Sequence, residues 1–88
     1  MPSAAPQPDW VIARRRIIGD QIRGARSHAR LTQQKLGELC GLDRQSINRI
    51  EQGHQSPVLD NLIRIAGALE VPLADLVREP PSADGPRT

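Results

Sequence analysis

Residues 32–52 read TQQKLGELCGLDRQSINRIEQ, and this stretch decides the fold. Thr32 and Asp43 carry side-chain oxygens that cap helix N-termini, and each precedes a run of residues with helical spacing of apolar side chains. Gly41 lies between the two runs, where a residue that accepts positive φ ends the first helix. Two short helices joined by a tight turn that contains glycine form a helix-turn-helix.

Apolar spacing extends this prediction in both directions along the chain. The first of the two helices is expected to bury Leu36, Leu39 and Cys40, and the second Ile47 and Ile50 before it ends at Gly53. A preceding helix, capped by Asp9 and starting between residues 9 and 16, carries Val11, Ile17, Ile18, Ile22, Ala25 and Ala29. A fourth helix carries Leu59, Leu62, Ile63, Ala66 and Leu69, and a fifth, started by Pro72, carries Leu73, Leu76 and Val77.

The predicted fold class is all-α, a compact five-helix bundle, because no segment alternates as a β-strand does. Eighty-eight residues suffice for one small domain, so no separate ligand-sensing domain is expected. The proline-containing ends predict a flexible arm over residues 1–8 and a flexible tail over residues 79–88. The helix-turn-helix domain is then expected to occupy residues 9–78.

Charge is unevenly distributed along the chain. The formal net charge is only +2, yet residues 10–54 hold nine Lys or Arg against four Asp or Glu. Residues 55–88 hold three basic residues against five acidic ones. The basic half is therefore expected to face a polyanion.

The sequence offers little for catalysis, metal binding or secretion. Cys40 is the only cysteine, and His28 and His54 have no acid or thiol at a ligand spacing, so no metal, cofactor or disulfide is expected. No nucleophile with a matching base and no glycine-rich phosphate loop is present, which predicts that the protein is not an enzyme. No signal sequence or membrane span is found, so we expect a cytoplasmic protein associated with the nucleoid.

The second helix of the motif presents a polar face that suits DNA. Removing Ile47 and Ile50 from residues 43–52 leaves Arg, Gln, Asn and Arg on the outer side. Arg donates two hydrogen bonds to guanine O6 and N7, and Gln or Asn pairs with adenine N6 and N7. The candidate base-reading residues are Arg44, Gln45, Asn48 and Arg49.

With these residues in place, the chain resembles the Cro/C1-type helix-turn-helix family, also called the xenobiotic-response-element family, over about residues 17–77. The matching residues are Ile18-Gly19, Ile22-Arg23, Arg26, Leu31-Thr32-Gln33, Gly41-Leu42-Asp43, Ile47, residues 49–53, Ser56-Pro57, Asn61-Leu62, Ile65-Ala66, Leu69 and residues 71–76. The resemblance implies five helices, with the third in the major groove, and a homodimer on a two-fold symmetric operator. It implies a transcriptional regulator that binds double-stranded DNA.

The resemblance also implies a role for individual residues. It makes Arg44, Gln45 and Arg49 the main base readers and Asn48 a weaker one. It places Gln33 on a DNA phosphate, and the same side chain is expected to brace Gln45 or Arg44. Thr32 lies beside Gln33 at the start of the second helix, where the helix N-terminus attracts anions. Gln52, His54 and Gln55 are expected to contact the sugar-phosphate backbone. Arg26 and Glu51 are expected to form a structural salt bridge.

Two positions depart from the family pattern. Most relatives have Gly where this chain has Arg30, so a left-handed backbone there would be strained by about 1 kcal/mol. This departure leaves open a different turn between the first two helices. Gly37 replaces a common Ala, which keeps close helix approach possible but lowers helix propensity by about 1 kcal/mol.

Several alternatives stay open from sequence alone. The run Arg14-Arg15-Arg16 either contacts DNA phosphates or is simply solvated, and Trp10 either packs on its own domain, contacts a partner or is exposed. A dimer would use either the fifth helix through Leu73, Leu76 and Val77, or an N-terminal seam through Trp10, Val11 and Ile17. The competing functions are an antitoxin with a protein partner and a domain that has lost DNA binding.

Overall fold

A computed structural model describes residues 7–79 and contains five α-helices and no strand within that range. The helices are α1 (Asp9–His28), α2 (Gln33–Cys40), α3 (Arg44–Glu51), α4 (Leu59–Leu69) and α5 (Leu73–Val77). The predicted all-α, five-helix fold is confirmed. The predicted flexible arms over residues 1–8 and 79–88 lie almost wholly outside the described residues. Across residues 7–79, no helix combines the length and the apolar character that crossing a membrane requires.

The turn between α2 and α3 has the local structure that the sequence predicts. Thr32 Oγ1 accepts a hydrogen bond from the Lys35 amide at 2.9 Å, and Asp43 Oδ1 accepts one from the Ser46 amide at 2.7 Å. Each side chain therefore satisfies an amide that has no partner within its helix. Gly41 ends α2 with φ of 81°, the left-handed conformation that glycine adopts without a steric penalty.

The start of α1 differs from the prediction. Asp9 is the first residue of α1, and Pro8 occupies the capping position without a side-chain hydrogen bond. The Pro8 carbonyl accepts from the amides of Val11 and Ile12 at 3.0 and 3.2 Å. Asp9 instead places its negative charge in the first turn, where the helix dipole favours it.

The core takes one almost completely buried aliphatic side chain from each helix. These five side chains, each at most 1% exposed, are Ile22, Leu36, Ile47, Ile65 and Leu76. Burial of such a side chain stabilises a fold by about 1.5–3 kcal/mol. Because every helix contributes one, no helix can leave the bundle without opening the shared core.

Five residues that the apolar spacing assigns to the stripes of the helices are instead exposed, namely Ala29, Leu39, Leu59, Ile63 and Val77. Helix α4 turns Ile65, Ala66 and Leu69 inward, so Leu59 and Ile63 lie at the edge of its buried face. Helix α2 buries Leu36, Gly37 and Cys40, which turns Leu39 outward. The spacing identified both helices correctly, but their rotation is set by what they pack against.

Two glycines allow the helix-turn-helix to pack tightly. A Cβ atom on Gly37 would collide with the Leu42 carbonyl oxygen, so the predicted close approach is confirmed. A Cβ atom on Gly19 of α1 would lie 2.6 Å from the Ile50 carbonyl oxygen at the end of α3. Arg30 has φ of 62°, so the turn between α1 and α2 keeps a left-handed residue even though a side chain replaces glycine there.

Candidate nucleic-acid interface

Helix α3 divides into a buried side and an exposed side. Ile47 and Ile50 are buried, whereas Arg44, Gln45 and Arg49 are exposed. At 3.6 residues per turn, the three exposed side chains fall within about 140° of the helix circumference. Within residues 7–79, none of these three side chains forms a hydrogen bond or ion pair. They are free to bond to groups outside the protein.

Asn48 lies in the same arc but is half-buried, and its oxygen already accepts hydrogen bonds. Gln33 Nε2 donates to Asn48 Oδ1 at 3.1 Å and to Glu51 Oε1 at 3.0 Å. The expectation that Gln33 braces Gln45 or Arg44 is therefore wrong for this structure. Asn48 and Glu51 are three residues apart, so they share the side of α3 that faces the start of α2.

An ion pair fixes α3 to α1. Arg26 Nε donates to Glu51 Oε2 at 2.6 Å, and Arg26 Nη2 donates to Glu51 Oε1 at 3.0 Å. Arg26 Nη1 also donates to the Leu31 carbonyl oxygen at 2.9 Å, which ties in the turn before α2. The structure thus places the predicted pair in bidentate contact, with Glu51 buried.

The segment after α3 turns away through Gly53, which has φ of 78° and is buried. The His54 amide donates to the Arg49 carbonyl oxygen at 2.9 Å, which closes the end of the helix. Gln52 and His54 are exposed and Gln55 is half-buried. Thr32 is exposed at the start of α2.

The three residues of the run Arg14-Arg15-Arg16 have different contacts, and the one that Arg15 makes with this segment was not predicted. Arg15 Nε donates to the Gly53 carbonyl oxygen at 2.7 Å, and Arg16 packs against Gly53. Arg14 forms an ion pair with Glu79. The spacing of Arg15, Gly19, Ile22 and Arg26 follows one face of α1, and this pattern is the signal that could have separated Arg15 from its neighbours.

In the part of the chain that the structure describes, two titratable groups have shifted pKa values. Hydrogen bonds from the Ser46 hydroxyl and amide lower the pKa of Asp43, the residue that caps α3. Burial raises the pKa of the Cys40 thiol, so the reactive thiolate is disfavoured. Among residues 7–79, no group of three or more His, Cys, Asp or Glu side chains is arranged to hold a metal ion.

Comparison with known proteins places this geometry among helix-turn-helix domains. Residues 22–76 match the family HTH_3, described as helix-turn-helix. The immunity repressor protein of Bacillus phage phi105 is 34% identical over 62 residues, which are 70% of this chain and 43% of the repressor. This chain therefore spans less than half the length of that relative.

Two solved structures, those of a controller protein and a repressor, are similar to this chain. The restriction-modification controller protein C.AhdI from Aeromonas hydrophila has a TM-score of 0.72 at 31% identity, over 74% of this chain and 94% of that protein. The P22 c2 repressor, solved in complex with a synthetic operator, has a TM-score of 0.67 at 26% identity. That match covers 70% of this chain and 94% of the repressor chain.

Proposed function

This chain belongs to the helix-turn-helix family HTH_3, and from that premise we propose that it is a transcriptional regulator that binds double-stranded DNA as a homodimer. Its family and fold are those of DNA-binding regulators rather than enzymes. Association with the nucleoid follows from the proposal. The relatives are named as repressor and controller proteins, which favours a regulator over an antitoxin.

The observation that carries the proposal is the exposed arc of α3. Arg44, Gln45 and Arg49 extend from a helix that three contacts hold against the rest of the domain: the buried isoleucines, the Arg26–Glu51 pair and the Arg15–Gly53 bond. A rigid helix with free Arg and Gln side chains meets the requirements for reading base edges in the major groove. Each bidentate pair contributes about 1–3 kcal/mol of discrimination between bases.

Asn48 has a different role in this proposal. Its oxygen accepts from Gln33 Nε2 at 3.1 Å and from Gln52 Nε2 at 3.5 Å, so both lone pairs of that oxygen are in use. Reading adenine through both the oxygen and the nitrogen of the amide would displace one of these bonds. We assign Asn48 mainly to holding Gln33 at the start of α2. The sequence preference then rests on three side chains rather than four.

Backbone contacts are proposed on both sides of α3. The N-terminus of α2 offers free amides and a positive dipole end beside Thr32 and Gln33. On the other side, Gln52, His54 and Gln55 follow the end of α3. These groups would orient the domain on the duplex without reading sequence, as phosphate contacts do.

A mobility-shift titration at two salt concentrations tests the proposal. Neutralisation of phosphates by Lys and Arg releases counterions, so the affinity should fall steeply as the salt concentration rises. DNA fragments selected from the host genome supply the specific site, and a scrambled duplex of equal length is the control. Affinity that does not depend on salt, or equal affinity for both duplexes, would overturn the proposal.

A further inference from the structure

Four polar side chains from three helices form one connected series of hydrogen bonds. Arg26 of α1 donates to Glu51 of α3. The single amide nitrogen of Gln33, in α2, donates to Glu51 Oε1 at 3.0 Å and to Asn48 Oδ1 at 3.1 Å. We call these four side chains the polar network. Because it joins α1, α2 and α3, it connects both helices of the helix-turn-helix to the rest of the domain.

The Glu51 carboxylate fixes the direction of the bonds in the polar network. Its side chain is almost completely buried, and the Arg26 guanidinium that faces it can only donate. A carboxylate paired in this way only accepts, so the Gln33 atom that lies 3.0 Å from it must be the NH2 nitrogen and not the oxygen. The second hydrogen of that nitrogen then points to Asn48, which must present its own oxygen. The charge of Glu51 therefore decides how the two amides are turned.

This orientation leaves each of the two amides with one free polar atom, and the two atoms are of opposite kinds. Asn48 keeps its nitrogen Nδ2, which is only a donor, and Gln33 keeps its oxygen Oε1, which is only an acceptor. Neither atom forms a hydrogen bond within residues 7–79, and neither is enclosed by that part of the protein, so both reach solvent. Gln33 therefore has no side-chain hydrogen left for DNA, whereas Asn48 does.

We infer that Asn48 Nδ2 donates to an acceptor oxygen of DNA, and that Gln33 orients the Asn48 amide without contacting a phosphate. The inference rests on the proposed function and specifies the chemistry of the same surface. It reverses the expectations from the sequence, in which Gln33 contacts a phosphate and Asn48 pairs with both polar atoms of adenine. The acceptor is either a phosphate oxygen or a keto oxygen of guanine or thymine in the major groove.

A phosphate contact from the Gln33 side chain would disrupt the polar network. Donation to a phosphate requires a hydrogen that is now bonded to Glu51 or to Asn48. Taking the first leaves a buried carboxylate with one donor fewer, and turning the amide over places its oxygen against that carboxylate. Phosphates at the start of α2 are therefore left to the backbone amides there.

Asn48→Asp tests the inference with the smallest change of shape. The variant keeps an oxygen for Gln33 and replaces only the free nitrogen, so the donor that faces solvent becomes an acceptor. In mobility shifts, the affinity for the specific duplex should fall by about 10–100-fold. Gln34→Glu is the control, because it adds the same charge at the exposed start of α2 outside the polar network, and it should cost about 3-fold or less. Equal losses in the two variants would overturn the inference.

Chemically altered DNA separates the two sources of the acceptor oxygen. The probes are the specific duplex with a methylphosphonate at one phosphate at a time, and the same duplex with one base pair changed at a time. If the partner is a phosphate, one methylphosphonate should weaken binding by wild type but not by Asn48→Ala. If the partner is a base, one guanine or thymine should have this property instead. Either result supports the inference, whereas equal losses for the two proteins at every phosphate and every base would overturn it.

Exchange of side-chain amide hydrogens tests the orientation of the polar network without DNA. In two-dimensional NMR spectra of the free protein, the NH2 hydrogens of Gln33 should exchange with water more slowly than those of Gln34, because both are bonded within the protein. Those of Asn48 should exchange as fast as those of Gln34 and should slow when the specific duplex is added. Fast exchange at Gln33, or slow exchange at Asn48 in the free protein, would overturn the inference even if Asn48→Asp did not fold.

The same measurements distinguish failure of the inference from failure of the proposed function. If wild type binds the specific duplex with salt-dependent affinity and Asn48→Asp behaves like the Gln34→Glu control, only the inference fails. If wild type binds the specific and the scrambled duplex equally, the proposed function fails, and the inference fails with it.

Discussion

Replacing Arg26 with leucine should destabilise the domain more than any other single change of a charged residue within the described range. Arg26 supplies two hydrogen bonds to the Glu51 carboxylate and a third to the Leu31 carbonyl oxygen. The Glu51 side chain is only 1% exposed, so water cannot replace the lost donors. In the Arg26→Leu variant, only the Gln33 amide would remain as its partner.

The expected cost follows from that burial. Removing one partner of a buried ion pair costs about 3–5 kcal/mol, because the other charge stays buried and unpaired. A domain of this size has a free energy of unfolding of about 4–10 kcal/mol. Arg26→Leu should therefore remove a large part of the stability. The double variant Arg26→Leu with Glu51→Leu should lose less than the sum of the two single variants, because no charge is left buried.

Urea denaturation followed by far-UV circular dichroism measures these differences as a double-mutant cycle. The exposed pair Lys35–Glu38, with 3.8 Å between the charged atoms, is the matched control. Its removal should cost less than about 1 kcal/mol, as is usual for surface pairs. A loss for Arg26→Leu as small as that of the control, or additive effects of the two single substitutions, would refute the assignment of this pair as a structural link.

Three further predictions concern the ends of α3 and the turn before α2. Arg15→Met removes the hydrogen bond to Gly53, which lies among the residues proposed to contact the DNA backbone. In mobility shifts, the variant should therefore bind the specific and the scrambled duplex more weakly by a similar factor, about 3–10-fold. A loss of affinity confined to the specific duplex would contradict this. Arg30→Gly relieves the strain of a left-handed backbone but increases the entropy of the unfolded chain. The free energy of unfolding in urea should therefore rise by about 0.5–1 kcal/mol. An unchanged free energy of unfolding would exclude strain at this residue. The pKa of Asp43 is lower in the folded chain than in the unfolded one, so its cap contributes fully above the unfolded pKa and is lost as the pH falls through the folded pKa. In thermal unfolding, Asp43→Asn should show a smaller loss of Tm than wild type between pH 5 and about pH 2, and equal losses would contradict this.

Local chemistry made much of the fold predictable from the sequence. The caps at Thr32 and Asp43 and the left-handed Gly41 depend on residues within four positions of one another, and all three were found as predicted. The buried isoleucines of α3 were likewise predictable, because they are the only apolar residues of a short helix.

Features that depend on tertiary packing were not predictable in the same way. The apolar residues of α4 fit a helix equally well with Leu59 and Ile63 facing inward, and only contact with the other helices turns Ile65 to the core. The partner of Gln33 is set by the orientation of α2 against α3, which places Asn48 and Glu51 nearer than Gln45. Residue type alone could not distinguish Arg15 from Arg14 and Arg16. The spacing along α1 separates them, but the partner of Arg15 depends on where the fold places Gly53.

We propose that Arg44, Gln45 and Arg49 set the sequence preference, while the flanking residues set only the overall affinity. The most direct measurement compares base preferences at every position of the selected site for wild type, Arg49→Ala and His54→Ala in competition mobility shifts. Arg49→Ala should lose about 1–3 kcal/mol of discrimination at one base position, and His54→Ala should weaken binding to all sequences about equally. An equal, sequence-independent loss in both variants would contradict the claim.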